Sequence, residues 1–159
     1  MAYFEIGIYR PHSDANVGTL WRSALQLGAA GIFTIGGRYR HQTSDVNRTR
    51  MHIPLRQYGS FEEFRASRPE GARLVGIEMG GEPLSGFCHP QQAIYLLGSE
   101  TNGLPERILT ACNAVVAIEA VGIESYNVAV AGSIVMYHRL FLDNRSNPLI
   151  RQTGALGEI

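Results

Sequence analysis

Hydrophobic and polar positions follow two periods along the chain, and the change from one period to the other predicts strands and helices. Residues alternate over Tyr3–Tyr9, and a short apolar run covers Gly31–Ile35, so both segments are predicted to be strands. Between them, apolar side chains recur at helical spacing, which predicts a helix over 16–27. Asp14 or Asn16 has a side chain that can cap the start of this helix.

The rest of the chain continues this alternation. Apolar runs over 73–77, 93–97 and 114–118 predict strands, and the last two have the continuous apolar character of strands buried on both faces. A short helix is predicted to open at Ser60, which stands at capping-box spacing from an acidic residue. An apolar helix is predicted over 127–142.

This order of elements predicts the fold class. Strands alternating with helices are typical of an α/β domain, here a single domain over 1–159 with a mainly parallel sheet and helices on both faces. The glycine-rich segment 80–86 is predicted to be a loop. Because ligands of such sheets bind beyond the carboxyl ends of the strands, we expect the turns after Ile77, Leu97 and Ile118 to converge on one site.

Composition agrees with one globular domain. The chain has 159 residues and 17.5 kDa, 45% of its residues are hydrophobic, and its formal net charge is zero. A net charge of zero favours neither a polyanionic partner nor a membrane surface. The segment 38–56 is nevertheless basic, since its five arginines and one aspartate give a charge of +4. These arginines are candidate RNA contacts, although a solvated loop would show the same pattern. They are Arg38, Arg40, Arg48, Arg50 and Arg56.

Cysteine content and the lack of long apolar runs bear on the compartment. Cys88 and Cys112 are the two cysteines, and no run resembles a signal peptide or a membrane span, so a cytoplasmic protein without structural disulfides is expected. Cys88 adjoins His89, but no further residues have zinc-ligand spacing, so no metal is expected. The motifs of serine hydrolases, P-loop proteins and dinucleotide-binding proteins are absent from the sequence.

Three short stretches carry polar residues that a scaffold does not require. Asn16 and Arg22 lie in the first predicted helix, a glycine-bounded turn with Glu100 follows a central strand, and Ser125 and Asn127 open the last helix. Each stretch also has a structural interpretation: a helix cap with a solvated arginine, an ordinary strand-to-helix loop, and a second helix cap. Spacing by itself leaves these alternatives open.

Together the stretches resemble the three motifs of the SpoU, or TrmH-type, RNA methyltransferases of the SPOUT superfamily, in the same order and over about 3–142. The motifs are N-x-G-x-x-x-R, G-x-E-x-x-G-L-P and S-x-N. The matching residues are Asn16, Gly18, Arg22, Gly98, Glu100, Gly103, Leu104, Pro105, Ser125 and Asn127. Tyr126 departs from the leucine that the family more often has, and we expect this change to be tolerated.

The resemblance implies a fold and an assembly that periodicity cannot show. It implies a deep trefoil knot over about 93–142, a rare exception to unknotted topology. It also implies a homodimer with composite active sites, in which Arg22 approaches the methyl group from its own or the partner subunit. The apolar helix over 127–142 is compatible with burial at such an interface or in a monomeric core.

The same resemblance implies a reaction, methyl transfer from S-adenosyl-L-methionine to a ribose 2'-oxygen of RNA. Because a free guanidinium has a pKa above about 12, Arg22 is expected to clamp a phosphate and stabilise alkoxide charge rather than to act as the base. The implied catalytic residues are Asn16, Arg22, Glu100, Ser125 and Asn127. The implied cofactor contacts, largely through the backbone, are Ile77, Leu97, Gly98, Gly103, Ile118, Ser125, Tyr126 and Asn127.

The short length of the chain bears on which RNA is the expected substrate. Minimal members of the family without an RNA-binding extension resemble enzymes that modify the anticodon wobble ribose of tRNA, so tRNA is the expected substrate. The alternatives are ribosomal RNA as substrate, a catalytically silent dimer that binds RNA or the cofactor, and an α/β domain that binds another nucleotide. The tail over 147–159 is expected to be loosely ordered.

Overall fold

Residues 3–40, 52–123 and 125–143 are described by the structure, a computed structural model of the chain. They form strands and helices in an alternating order that confirms the predicted α/β class. In chain order the elements are β1 (Tyr3–Tyr9), α1 (Asp14–Gln26), β2 (Gly31–Ile35), β3 (Leu55–Tyr58), α2 (Phe61–Ser67), β4 (Arg73–Pro83), a 3-10 turn (Leu84–Gly86), β5 (Gln92–Leu97), α3 (Glu106–Ala111), β6 (Ala114–Ala117), α4 (Val128–Tyr137) and a π-helical turn (His138–Leu142).

The six described strands form one sheet in the order β3-β2-β1-β5-β4-β6. Every pair of neighbouring strands is parallel, which confirms the predicted parallel sheet. The chain builds one half of the sheet outward from β1, then crosses over and builds the other half around β4 and β5. At such a change of direction, a crevice opens beyond the carboxyl ends of the central strands.

The two faces of the sheet bury separate hydrophobic cores. One core packs α1 and α4 against the sheet through Leu20, Trp21 and Met136, whereas the other packs α2 and α3 through Phe64 and Ile108. Successive residues of β5 point alternately into these cores, as the two-residue period of a strand requires. The predicted placement of helices on both faces is therefore confirmed.

The start of α1 differs from the expected cap. Ser13, in an extended conformation, is the N-cap, and its hydroxyl accepts a hydrogen bond from the backbone N–H of Asn16 at 3.3 Å. Asp14 is the first helical residue. The prediction that Asp14 or Asn16 caps this helix was therefore wrong, and the side chain of Asn16 is available for contacts outside the helix.

Strand β4 extends through most of the segment that was predicted to be a loop. It continues to Pro83, with an irregularity in its pairing to β6 between Ile77 and Glu82. At Gly81 a Cβ would lie 2.6 Å from the backbone carbonyl of Val115, so a glycine lets the two backbones approach. The loop prediction over 80–86 was wrong for the first four residues, because close backbone approach and flexible turns both call for glycine.

Strand β3 was missed by the sequence patterns. It is one of the two outermost strands of the sheet, where it pairs with β2, and it exposes Arg56 and Gln57 at its centre. A four-residue edge strand with a polar centre shows no hydrophobic alternation, which is why no period appears there.

The predicted helix over 127–142 is confirmed as α4 with Asn127 as its N-cap, continued by the π-helical turn. The trefoil knot over about 93–142 stays a prediction, and the tail over 147–159 lies outside the described residues. None of the helices in the described ranges is long and apolar enough to cross a membrane.

Candidate active site

A cavity of about 570 Å³ opens at the carboxyl edge of the sheet, beside β4, β5 and β6. Its walls include Ile77, Leu97 and Ile118 with residues that follow each of them, and the first residues of α4. The predicted convergence of these three segments is therefore confirmed, although the segment after Ile77 is a continuation of β4 and not a turn. A volume of this size falls within the range of roughly 300–1,000 Å³ that is typical of small-molecule sites.

The predicted cofactor contacts all line this cavity, although they come from four separate segments. Gly98 and Gly103 bring two stretches of backbone together, since a Cβ on Gly98 would overlap the Gly103 backbone and Gly103 has a φ of +62°. Their role in cofactor binding stays a prediction. The lining residues concerned are Ile77, Leu97, Gly98, Gly103, Ile118, Ser125, Tyr126 and Asn127.

Three of the predicted catalytic residues are joined by hydrogen bonds at the mouth of the cavity. The side-chain amide of Asn16 donates to Glu100 Oε1 at 2.8 Å, and the amide of Asn127 donates to Asn16 Oδ1 at 3.0 Å. Asn127 also caps α4 by accepting from the backbone N–H of Ala129 at 2.9 Å. We call Asn16, Glu100 and Asn127 the edge network, and its members come from α1, the turn after β5 and the start of α4.

Glu100 is held as a carboxylate. Partial burial acts to raise the pKa of this carboxyl, but hydrogen bonds from Asn16 and from the backbone N–H of His12, with the nearby His12 ring, lower it below its usual value. The His12 N–H donates to Glu100 Oε2 at 3.1 Å. Both carboxylate oxygens therefore have donors, and Glu100 orients two segments of chain that approach the cavity from α1 and its preceding loop.

The other two predicted catalytic residues are not part of the edge network. Ser125 lines the cavity, but within the described ranges it has no hydrogen bond to the network. Arg22 is exposed on α1, and it has no hydrogen bond or ion pair in the part of the chain that the structure describes. A single chain therefore brings Asn16, Glu100, Ser125 and Asn127 to one cavity and leaves Arg22 pointing to solvent.

The candidate RNA contacts divide into three groups. Arg38 and Arg40 are exposed near the carboxyl end of β2, whereas Arg56 lies in β3 and forms an ion pair with the buried Glu5 of β1. The charge of Arg56 is therefore balanced by a residue that lies far away in the sequence, which the count of +4 over 38–56 does not include. Arg48 and Arg50 lie outside the described residues.

Glu78 is a site residue that the sequence patterns did not indicate. It follows Ile77 at the end of the regular part of β4 and lines the cavity. One carboxylate oxygen accepts from the Leu104 backbone N–H at 2.7 Å, and the other accepts from the Met79 N–H at 3.0 Å. A Cβ on Gly103 would overlap this carboxylate. Glu78 therefore joins β4 to the turn after β5, and its position directly after the strand predicted over 73–77 was the available signal.

The cavity suits S-adenosyl-L-methionine. Apolar side chains such as Ile77, Leu97 and Ile118 form walls for flat or aliphatic groups, and the glycines expose backbone polar atoms. Carboxylates of Glu78 and Glu100 in the lining favour a cation such as a sulfonium over a polyphosphate. Among the described residues, no group of three or more His, Cys, Asp or Glu side chains is arranged to hold a metal ion.

Comparison with known sequences identifies relatives along nearly the whole chain. A family model described as the SpoU rRNA Methylase family matches residues 3–137. A protein of Beijerinckia indica named tRNA (cytidine(34)-2'-O)-methyltransferase is 29% identical, over 97% of this chain and 94% of the relative. A protein of Ancylobacter novellus with the same name is also 29% identical, over 94% of this chain and 92% of the relative.

Solved structures agree with the sequence relatives. A structure described as giving insight into 2-OH methylation of C/U34 on tRNA is 27% identical, with a TM-score of 0.76 over 91% of this chain and 96% of the other. The SpoU methyltransferase AviRb from Streptomyces viridochromogenes, in complex with the cofactor AdoMet, is 28% identical, with a TM-score of 0.73 over 86% of this chain and 56% of the other. The predicted RNA methyltransferase class is therefore confirmed, and the chain belongs to the SpoU rRNA methylase family.

Proposed function

We propose that this protein transfers the methyl group of S-adenosyl-L-methionine to a ribose 2'-oxygen of tRNA at position 34, the wobble position of the anticodon. The observation that carries this proposal is the edge network, which stands at the mouth of a cavity lined by all the predicted cofactor contacts. Membership of the family supports the chemistry. Two relatives named for cytidine 34, each aligned over more than nine tenths of this chain, support the position.

The cofactor, when bound, supplies a methyl group activated by a positively charged sulfur. The protein contributes the shape and charge of the cavity: apolar walls exclude water, and Glu78 and Glu100 provide negative charge. Glu78 holds the turn after β5 against β4, so the backbone of Gly98 and Gly103 presents fixed donors and acceptors.

The 2'-hydroxyl is a weak nucleophile near neutral pH, so the protein must hold it in line with the methyl group and polarise it. Asn16 and Asn127 have fixed orientations because their amides are hydrogen-bonded to Glu100 and to each other. They position the ribose at the mouth of the cavity. Arg22 clamps the adjacent phosphate and stabilises charge that develops on the oxygen.

A homodimer completes this site. An apolar groove of about 410 Å³ runs along α1 and α4, and its lining includes Leu27, Val130, Tyr137 and Leu142. The last three are 47%, 52% and 58% exposed, a large apolar area for a surface of a single chain. A second copy seated on this groove brings α1 and its exposed Arg22 into contact with a partner, which accounts for a catalytic residue that the edge network of its own chain does not reach.

The experiment that tests the function is transfer of labelled methyl from S-adenosyl-L-methionine to bulk tRNA and, separately, to ribosomal RNA from a strain that lacks this protein. We expect label in tRNA, at one ribose that resists alkaline cleavage and maps to position 34. The Arg22→Ala variant is expected to lose the label. Label in ribosomal RNA alone would overturn the choice of substrate, and tight cofactor binding without transfer would favour the silent dimer. The proposed localisation of the protein is the cytoplasm, where tRNA is found.

Mixing two inactive variants tests the composite site. If Arg22 acts on the partner's edge network, Arg22→Ala and Glu100→Ala subunits form mixed dimers in which one of the two sites is intact. After random exchange of subunits, methyl transfer recovers to roughly a quarter of the wild-type rate, since about half of the dimers are mixed. If Arg22 serves its own chain, each subunit of a mixed dimer has a defect and mixing restores no activity.

A further inference from the structure

His12 lies beside the edge network without belonging to any sequence motif. It stands in the turn after β1, at the same carboxyl edge of the sheet as the cavity. Its backbone N–H donates to Glu100 at 3.1 Å, and its ring Nδ1 lies 3.1 Å from the hydroxyl of Thr101, which lines the cavity. The ring is exposed, and in the described part of the chain its Nε2 makes no hydrogen bond. The imidazole is therefore anchored at one nitrogen, beside a residue that lines the cavity, and its other nitrogen is not engaged by the described residues.

Methylation of a hydroxyl releases a proton, and the other groups near the cavity are poorly suited to take it. A guanidinium such as that of Arg22 holds its protons too tightly. The pKa of Glu100 is lowered, and both of its oxygens already accept hydrogen bonds, so it is a weak and occupied base. Imidazole is the side chain that most often serves as a general base near neutral pH.

The other described histidines lie elsewhere in the fold. His52 stands before β3, so it lies at the amino ends of the parallel strands, whereas the cavity lies at their carboxyl ends. His89 and His138 are hydrogen-bonded to each other at the C-terminal end of α4, away from the cavity. Within the described ranges, His12 is thus the imidazole next to the edge network.

We infer that His12 is the proton acceptor for the ribose 2'-hydroxyl in the methyl transfer proposed above, on which this inference rests. As the new bond forms between the 2'-oxygen and the methyl carbon, the bond from that carbon to sulfur breaks and its electron pair stays on sulfur. The O–H proton passes to Nε2 of His12. The products are the 2'-O-methyl ribose, a neutral thioether and an imidazolium, which returns its proton to water.

The surroundings of His12 suit this role. In the tautomer that carries its proton on Nδ1, the ring donates to Thr101 Oγ1, and the lone pair of Nε2 is then free to accept a proton; the proposal requires this tautomer. The carboxylate of Glu100 stands next to the ring and stabilises the imidazolium as it forms. Arg10 in the same loop and Asp14 at the first position of α1, each two residues from His12, are the charged groups next to it in the chain.

The loop after β2 also faces this region. The backbone N–H of Arg40 donates to Asp14 Oδ1 at 3.5 Å, so a second loop with an exposed arginine lies close to the turn that carries His12. Exposed arginines near this turn favour the approach of an RNA phosphate.

The test is single-turnover methyl transfer at saturating tRNA and cofactor, measured from acidic to alkaline pH for wild type, His12→Gln and His12→Ala. The wild-type rate is expected to rise with pH through the range in which imidazoles titrate and then to level off. Both variants are expected to lose about 10²-fold or more at the plateau and to lose this bend in the profile. Added imidazole is expected to restore part of the His12→Ala rate, which a structural role would not allow.

His52→Gln is the matched control, because His52 is an exposed histidine at the amino ends of the strands. This variant should keep the wild-type rate and pH profile. Affinities for S-adenosylhomocysteine and for tRNA are measured in parallel. Because the contact of His12 with Glu100 that fixes this turn is made by the backbone N–H, every variant retains it. A wild-type rate and profile in His12→Gln, or weaker tRNA binding with an unchanged rate, would overturn the inference. Absence of methyl transfer to any RNA by the wild type would instead overturn the proposed function.

Discussion

Two polar networks connect β5 to α4, one at each end of the helix. At the start of α4 and the end of β5, the edge network joins Asn127 to Asn16 and Glu100. Asn127 and Glu100 are exposed, and both line the cavity. This network thus lies where water and substrate can reach it.

The network at the other end is buried. The guanidinium of Arg139 donates to the carbonyls of Pro90 and Gln91 at 2.7 and 3.0 Å and to the hydroxyl of Tyr95 at 3.0 Å. The ring of His89 also contacts the Tyr95 hydroxyl. Arg139 is 5% exposed and His89 6% exposed, so neither can act on a ligand from solution. We call Arg139, Tyr95, His89, His138 and Asp143 the buried network.

The difference between the networks separates polar groups that stabilise the fold from polar groups for which we propose a part in the chemistry. In the buried network Arg139, Tyr95, His89 and Asp143 have been taken out of water, so their hydrogen bonds have to be made and removing one partner leaves others unsatisfied. In the edge network solvent can replace a lost partner, so the fold tolerates changes there. What a change in the edge network disturbs is the orientation of side chains at the cavity.

The largest expected effect is on the edge network. Glu100→Ala removes the acceptor for both Asn16 and the His12 N–H, so we expect methyl transfer to fall by about 10²-fold or more, since small misplacements of reacting groups have effects of that size. The free energy of unfolding should change by less than about 1 kcal/mol, because the site is open to water. Single-turnover transfer and urea unfolding measure the two quantities. Glu70→Ala, at an exposed position, is the control, and equal loss of stability and activity would contradict the comparison.

Arg139→Ala should have the opposite outcome. It leaves two backbone carbonyls and the Tyr95 hydroxyl without their donor, so the free energy of unfolding should fall by about 3 kcal/mol. The rate of transfer per folded molecule should stay close to wild type. Arg65→Ala, an exposed arginine of α2, is the control for urea unfolding at equal protein concentration. A loss of less than about 1 kcal/mol in Arg139→Ala would show that water satisfies these groups.

The buried network also predicts how stability depends on pH. Burial, with the nearby charges of Arg139 and His138, lowers the pKa of His89 to about 3. An unfolded imidazole has a pKa of about 6.5, so below that pH the unfolded chain binds a proton that the folded chain cannot, and stability falls as the pH falls. Between pH 7 and pH 5.5 this group should remove about 1 kcal/mol from the free energy of unfolding.

Urea unfolding of wild type and His89→Gln at several pH values measures this contribution. The variant should start less stable and lose less of its stability between pH 7 and pH 5.5. Equal pH dependence in the two proteins would mean that another group, such as Asp143 or His138, carries the proton linkage.

Substitution of Tyr126, the residue before Asn127 in the chain, is expected to have the smallest effect on activity and cofactor binding. Its hydroxyl donates to the backbone carbonyl of Glu119 at 3.0 Å in an exposed setting. Tyr126→Leu should therefore weaken binding of S-adenosylhomocysteine by less than about fivefold, as measured by titration calorimetry, and leave transfer intact. Tyr126→Phe separates the hydroxyl from the ring. A loss of fiftyfold or more would show that the phenol holds the cofactor.

Local patterns were sufficient for most elements and for the place of the cavity. Continuous apolar runs identified β5 and β6, and the carboxyl ends of parallel strands meet at one edge, so Ile77, Leu97 and Ile118 could be placed together from sequence. Order and spacing of the three motifs also indicated Asn16, Glu100 and Asn127. The strands depend on neighbours in the chain, and the hydrophobic period records them directly. The three site residues were indicated by the resemblance to a family and not by any period.

Contacts between distant segments were decided by the tertiary structure. Glu5 pairs with Arg56, 51 residues away in the chain, because a single strand, β2, separates β1 from β3 in the sheet. Ser13 takes the helix cap and leaves Asn16 to reach Glu100, 84 residues away. His12 meets Glu100 across 88 residues, and no local pattern marks it. The reason is that side-chain partners of this kind are set by the order of strands in the sheet, which no period of two or 3.6 residues contains.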